Sequence, residues 1–258
     1  MNEREVRVDP GPFALGPVHA QAAVLCLHGL TGTPYEVRPL AEAFAEAGMR
    51  AVGPALPGHV ATPEALAAVD SWERWADAAR GAARDLAKRH NKVFAAGLSM
   101  GGLLSLLLAS ERLVDALVVV GVPLRLSPPI PWIVPVAKRF IPFLGKDGGS
   151  DIQDDAARER HPSYDRMPLH AVHELTKLQR VVRGRLRQIE APILVAHGAL
   201  DRTADREDAA RIHASVASRE RECLVLPASG HVVPVDRDGA DLARAAADFL
   251  ARHVRPLR

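Results

Sequence analysis

The chain has 258 residues, 48% of them hydrophobic and 25% charged, which excludes a disordered polymer and allows one large α/β domain or two small ones. Its 33 basic and 31 acidic residues leave a net charge of +2. That balance, without a dense basic stripe interleaved with aromatics, excludes nucleic acid as a partner.

The N-terminal Met1-Asn2-Glu3-Arg4-Glu5 is charged and lacks the apolar core of a signal peptide, so a cytoplasmic protein is expected. No apolar run reaches the roughly 18 residues that span a bilayer, and no stable membrane insertion is expected. The segment up to Phe13 is read as adding one or two edge strands. A first strand is predicted over 23–28. Thr33-Pro34-Tyr35-Glu36 then carries the signature of a capped helix start, with Glu three residues after the cap and Pro at the first helical position. Val37, Leu40, Ala41 and Phe44 supply one apolar face of a helix over 34–47. A strand over 50–53 leads to a helix over 72–89, begun by Asp70-Ser71 and buried along Trp72, Trp75, Ala79, Ala82 and Leu86. A strand over 93–97 runs into a helix over 100–111 whose leucines are apolar nearly all round, as in a helix buried on most sides. A strand follows over 115–121.

The alternation then breaks. Pro123, Pro128, Pro129, Pro131, Pro135 and Pro142, followed by Asp147-Gly148-Gly149-Ser150, mark an insertion. The apolar stretch Ile130 to Leu144 is expected to bury its face over a pocket, with contact to a lipid aggregate as the alternative. Arg180 to Arg187 reads as a solvated helix face. Regular order returns with strands over 192–197 and 222–226 and helices over 204–217 and 238–252. Strands alternating with helices imply a mostly parallel central sheet with helices on both faces. Residues 1–121 and 191–258 form its core, and 122–190 a small helical cap. Cys26 and Cys223 lie in apolar strand-like runs and are read as reduced core residues.

The chemistry concentrates at Gly97-Leu98-Ser99-Met100-Gly101, a serine in a G-x-S-x-G frame between a strand and a helix. That context makes the motif a nucleophile elbow, in which side chains at 97 and 101 would crowd the turn. A serine hydroxyl needs a base, and the base an orienting carboxylate. In chain order these are expected just beyond two later strands. Asp201 follows the run Ile193 to His197, and His231 lies in Ser229-Gly230-His231 after the last strand. Asp205 is the rival acid, four residues on. Two backbone donors are expected to face a developing oxyanion, the N–H of Met100 and that of Leu30 in His28-Gly29-Leu30-Thr31-Gly32. His170 and His173 share a helix face beside Glu174, but they match no zinc-protease spacing, and no metal is expected. His90, His213 and His253 read as helix-surface residues.

Leu27-His28-Gly29-Leu30-Thr31-Gly32-Thr33-Pro34, Leu56-Pro57-Gly58-His59, Gly97-Leu98-Ser99-Met100-Gly101-Gly102, His197-Gly198-Ala199-Leu200-Asp201 and Ser229-Gly230-His231 resemble the patterns of the α/β-hydrolase superfamily. The match is tighter to the small bacterial carboxylesterases that group with monoacylglycerol lipases. The resemblance runs from about residue 20 to the C-terminus and implies the α/β-hydrolase fold with a compact cap. It implies Ser99 as nucleophile, Asp201 as acid, His231 as base, Leu30 and Met100 as oxyanion hole, and no cofactor. The family often shows D-x-x-V-P after the acid, where this chain reads Asp201-Arg202-Thr203-Ala204-Asp205. The expected activity is a serine carboxylesterase on small to medium acyl esters, working as a monomer or small homo-oligomer. Monoacylglycerol lipase and thioesterase activity are the alternatives on the same triad, and a non-catalytic ligand sensor is the rival of another class.

Overall fold

The computed structural model describes residues 8–127, 129–145 and 149–254. The charged start Met1–Glu5, Pro128 and Asp147-Gly148 lie outside the described residues. A seven-stranded sheet forms the centre. From edge to edge it runs β1 (Phe13–Leu15), β3 (Arg50–Gly53), β2 (Ala22–Leu27), β4 (Lys92–Leu98), β5 (Ala116–Val120), β8 (Ile193–Gly198) and β9 (Arg221–Leu226). Only β1 is antiparallel to its neighbour, and every other pair is parallel.

The inner strands are continuous apolar runs because both faces are covered. In β2, Ala23, Leu25 and Leu27 enter one core while Ala22, Val24 and Cys26 enter the other. The helices α1 (Arg38–Glu46) and α9 (Gly239–Ala251) close one face with Leu40, Phe44, Leu242 and Phe249. On the other lie α3 (Glu73–Ala87), α4 (Met100–Ser110) and α8 (Glu207–Ser215), with Trp75, Leu104 and Ile212. A short α2 (Pro63–Ala67) precedes α3. Trp72 and Ala82 flank the buried stripe of α3 rather than sit inside it.

Several expectations are corrected. Among the described residues the N-terminal segment supplies one edge strand, which starts at Phe13 rather than ending there. The helix expected over 34–47 divides into a 3-10 turn, Pro34–Val37, and α1. The Thr33 side chain makes no capping bond, the Glu36 N–H being donated to the Thr33 carbonyl at 3.0 Å, and the Glu36 side chain turns inward to Gly29 instead of back to the cap. Cys26 is buried, but Cys223 is exposed. It lies on β9, which has a neighbour on one side only and leaves Val225 open as well. His90 is buried rather than on a helix surface, with its Nδ1 2.8 Å from the Ala20 carbonyl.

Between β5 and β8 the chain leaves the sheet at the C-terminal end of one strand and returns at the next. It forms α5 (Ile130–Ala137), α6 (Asp155–Arg160), α7 (Leu169–Arg185) and an antiparallel pair, β6 (Phe143–Gly145) and β7 (Arg166–Pro168). The inner residues of α7, Ala171, Leu175, Leu178 and Val182, join the core cluster of α4. The expected burial of the Ile130–Leu144 face is only partly met. Val134 is buried, whereas Trp132 is 81% and Phe140 79% exposed. With apolar residues all round an eight-residue helix, only the side over the pocket finds partners. Among the described residues, no helix is long and apolar enough to cross a membrane.

Candidate active site

Because the strands are parallel, β2, β4, β5, β8 and β9 all end at one edge of the sheet, where open α/β folds bind ligands. Five loops meet there. The loop after β4 is the sharpest. Ser99 has φ 55° and ψ −114°, a conformation that costs a non-glycine residue on the order of 1–3 kcal/mol. The surroundings enforce it. A Cβ at Gly97 would lie 2.2 Å from the Gly101 carbonyl oxygen, and one at Gly101 would lie 2.0 Å from that of Leu27. Side chains at these positions are therefore excluded by backbone, as the sequence reading expects. The Ser99 N–H donates to the Val120 carbonyl at 2.8 Å, and its own carbonyl accepts from Leu103 at 3.1 Å, the first turn of α4. Every residue of α4 from Met100 to Ala109 is buried, so the serine stands on a fixed support. Met100 opens the helix, and its N–H has no carbonyl one turn earlier to bond.

His231 is carried by the loop after β9. Its Nδ1–H donates to Asp201 Oδ2 at 2.8 Å, which leaves Nε2 without a proton in the neutral ring. Asp201 also accepts the N–H groups of Thr203 and Ala204 on Oδ1, both at 2.8 Å. A second imidazole faces the same carboxylate, with His197 Nε2 3.0 Å from Oδ2. Burial works to raise the Asp201 pKa, but the His197 and His231 contacts and the backbone donors outweigh it and hold the carboxyl far below the usual range. For His231 burial works downward, and the bond and charge of Asp201 outweigh it, so its pKa is raised. Asp205 is elsewhere. It is exposed and accepts from Arg211 at 2.7 Å and from the Glu207 N–H at 3.0 Å. The carboxylate on His231 is thus Asp201.

Two further acids set the loops that carry these groups. The Asp151 carbonyl accepts the His231 N–H at 2.9 Å, and its Oδ2 accepts the Arg202 N–H at 2.7 Å, joining the two loops. Asp236 accepts Gly230 and Gln153 N–H groups on Oδ2 and that of Asp154 on Oδ1. The loop after β2 is held by His28. Its Nδ1–H donates to the Gly29 carbonyl at 2.9 Å, and its Nε2 accepts the Leu56 N–H at 3.2 Å. This needs a neutral ring, and burial pushes the His28 pKa down against the pull of Glu36. In a trans peptide the N–H points away from the C=O, so fixing the Gly29 carbonyl fixes the direction of the Leu30 N–H. His59, stacked edge-on against His28 at 4.7 Å, is pushed by burial to about 3.

Ser99, His231, Gly29 and Leu30 line one pocket of about 670 Å³. Much of its wall is apolar, from Leu126, Ile130, Ile133, Ile141 and Val172, and its polar lining includes Glu36, Ser150, Asp151 and His161. His170 and His173 lie apart from it on α7, where Lys138 Nζ approaches His170 Nδ1 at 3.3 Å. Sequence reasoning missed His197, Asp151, His161 and the inward turn of Glu36. Only the position of His197 at a strand end, four residues before Asp201, signalled any of them.

A seven-stranded, mostly parallel sheet with a serine elbow and a His–Asp pair at one edge defines an α/β-hydrolase. Residues 18–238 match the family model described as serine aminopeptidase, S33, and the chain belongs to that family of serine hydrolases. It is 31% identical over 241 residues, 93% of this chain and 92% of the other, to a thermostable monoacylglycerol lipase of Bacillus sp. (strain H-257). It is 25% identical over 248 residues, 95% of this chain and 98% of the other, to a carboxylesterase of Bacillus subtilis (strain 168). Among solved structures it is similar to a metagenome-derived lipolytic enzyme from work on LipS and LipT, with a TM-score of 0.88 and 28% identity over 95% of this chain and 98% of that one.

Proposed function

We propose that this protein is a carboxylesterase that hydrolyses small to medium, uncharged acyl esters through Ser99, His231 and Asp201. The observation that carries the reading is the 2.8 Å bond from His231 to Asp201, in a pocket that the buried, conformationally forced Ser99 also lines. Ser99 Oγ attacks the ester carbonyl while His231 Nε2 takes its proton. Asp201 holds the ring in the tautomer that leaves Nε2 free and stabilises the imidazolium. The N–H groups of Leu30 and Met100 donate to the tetrahedral oxyanion. His231 returns the proton to the departing alcohol, and water, activated by the same imidazole, hydrolyses the acyl-enzyme. Residues 122–190 act as a cap whose inner wall accepts the acyl chain. No step requires a metal or an organic cofactor.

A monoacylglycerol is the second substrate reading. It is favoured by the 31% identity to a monoacylglycerol lipase and by the apolar wall of the pocket. Ser99→Ala is expected to lower p-nitrophenyl butyrate hydrolysis by on the order of 10⁶-fold with the circular dichroism spectrum unchanged. Full activity in that variant would overturn the assignment. A series of p-nitrophenyl esters of increasing acyl length, set against 1-monoacylglycerols, separates the two substrate readings. Preference for monoacylglycerols over simple esters of equal acyl length supports the second.

A further inference from the structure

One buried carboxylate beside Ser99 has no part in the reaction as written. Glu36 lies in the 3-10 turn before α1 and is 4% exposed. Its Oε2 accepts the Gly29 N–H at 2.9 Å. A Cβ on Gly32 would lie 2.1 Å from its Oε1, so the carboxylate fills the hollow of the turn 29–32. Glu36 therefore grips the N–H of the residue whose carbonyl His28 grips from the other side. Burial works to raise its pKa, but the His161 ring, His28 and the Gly29 N–H prevail, and the carboxyl stays ionised.

A strap from the segment between β5 and β8 closes over this turn. His161 Nε2 lies 3.1 Å from Glu36 Oε1, both side chains being buried, and His161 Nδ1 lies 2.7 Å from Ser150 Oγ. Three residues on, the Tyr164 N–H donates to the Thr31 carbonyl at 3.2 Å, and Ser163 Oγ donates to the same oxygen at 3.3 Å. Tyr164 Oη reaches on to the Gly58 carbonyl at 3.0 Å. Thr31 itself sits at φ 62°, a region that non-glycine residues seldom occupy. The turn is thus held from below by a carboxylate and from above by the strap. A buried ionised group is costly unless it is paired and hydrogen-bonded, and an apolar side chain of similar volume usually serves stability as well.

We propose that Glu36, held by His161, is a positioning residue for the oxyanion hole: it anchors Gly29 at its N–H while His28 holds the Gly29 carbonyl, and together they set the Gly29–Leu30 peptide so that the Leu30 N–H faces the reacting carbonyl. The strap makes that geometry depend on the seating of the segment over the pocket. This rests on the reading of Ser99 as nucleophile and Leu30 as donor.

The test uses the full chain with Glu36→Ala, Glu36→Gln and His161→Ala. The p-nitrophenol burst counts competent sites, so that turnover is expressed per site. Two inhibitors are compared: an alkyl trifluoromethyl ketone, which Ser99 converts to a bound oxyanion, and the planar product acid. Glu36→Ala is expected to lower kcat per site by about 10- to 100-fold with KM nearly unchanged, and to weaken the ketone by a similar factor. Binding of the product acid stays the same. Glu36→Gln keeps an oxygen for the Gly29 N–H and restores kcat to within about fivefold of the original. His161→Ala falls between the two. Equal weakening of ketone and product acid, or a loss of competent sites with kcat per site unchanged, would show a merely structural role and overturn the proposal. Hydrolysis that survives Ser99→Ala would overturn the underlying reading instead, and this inference with it.

Discussion

Two apolar helices meet the pocket, α4 at its cap residue Ser99 and α5 along one side, and the fold treats them oppositely. In α4 every residue from Met100 to Ala109 is buried. In α5, whose composition is at least as apolar, only Val134 is, while Trp132 and Phe140 stand in the open. The difference lies in the neighbours. The sheet, α3 and α7 surround α4, whereas α5 packs on α7 beside the pocket and leaves Trp132 and Val136 exposed. The floor of the site is therefore a fixed object and its cover a lightly attached one. Ser99 stands on the floor, and Ile130, Ile133 and Val134 of the cover line the same pocket.

The largest expected effect falls on the floor. Asp201→Asn should lower kcat on the order of 10⁴-fold, the cost of losing the orienting acid in a triad of this kind. Asp205→Asn should leave kcat within about twofold, since Asp205 bonds only surface groups. The opposite ranking in steady-state kinetics would refute the assignment of the acid. Next come the helices themselves. Leu104→Ala in α4 should destabilise the protein by about 2–5 kcal/mol in urea denaturation, as expected for a buried leucine that leaves a cavity. Trp132→Ala in α5 should change stability by less than about 0.5 kcal/mol despite removing a larger side chain, because that side chain is already in water. Comparable losses from the two would erase the contrast between floor and cover.

The pH profile gives a smaller effect. In the proposed reaction His231 acts as the base and must be neutral, and against the downward effect of burial its pKa is raised by the bond and charge of Asp201. The acidic limb of kcat/KM should therefore have its midpoint above the ordinary histidine value of about 6.5. Activity is full above that midpoint and lost as the pH falls through it. In Asp201→Asn the raising bond and charge are gone while burial remains, so the limb of the residual activity should move to lower pH. A limb that stays in place would show that another group controls it.

Much of this molecule is legible in the order of its residues. The runs around Val24, Phe94, Val118 and Leu194 are continuous because the sheet is covered on both faces, and such runs announce a parallel sheet. The elbow at Ser99 was readable because its glycines are demanded by backbone contacts within a few residues and by the neighbouring strand. Less was legible where partners lie far apart in the chain. Cys223 is followed by the apolar run Leu224-Val225-Leu226 and Cys26 is preceded by Val24-Leu25, yet Cys223 is on an edge strand and Cys26 in an inner one. Glu36 carries a capping signature, and a local rule sends it back to Thr33. In the folded chain it meets Gly29 and His161 instead.

By itself, then, the sequence determined the alternation of strands and helices, the serine elbow, and the order in which an acid and a histidine follow it. These depend on short-range sterics and on the period of apolar residues, which a linear string records. Tertiary structure alone decided that Asp201 and not Asp205 meets His231, that His197 shares that carboxylate, and that α5 leaves an apolar face in solvent. It also decided that a strap 125 to 133 residues beyond Glu36 and Thr31 — His161 to Tyr164 — closes over the turn carrying Leu30. Such contacts form only when distant loops are brought to one edge of the sheet, and nothing in the local pattern of those loops specifies which side chains will face each other there.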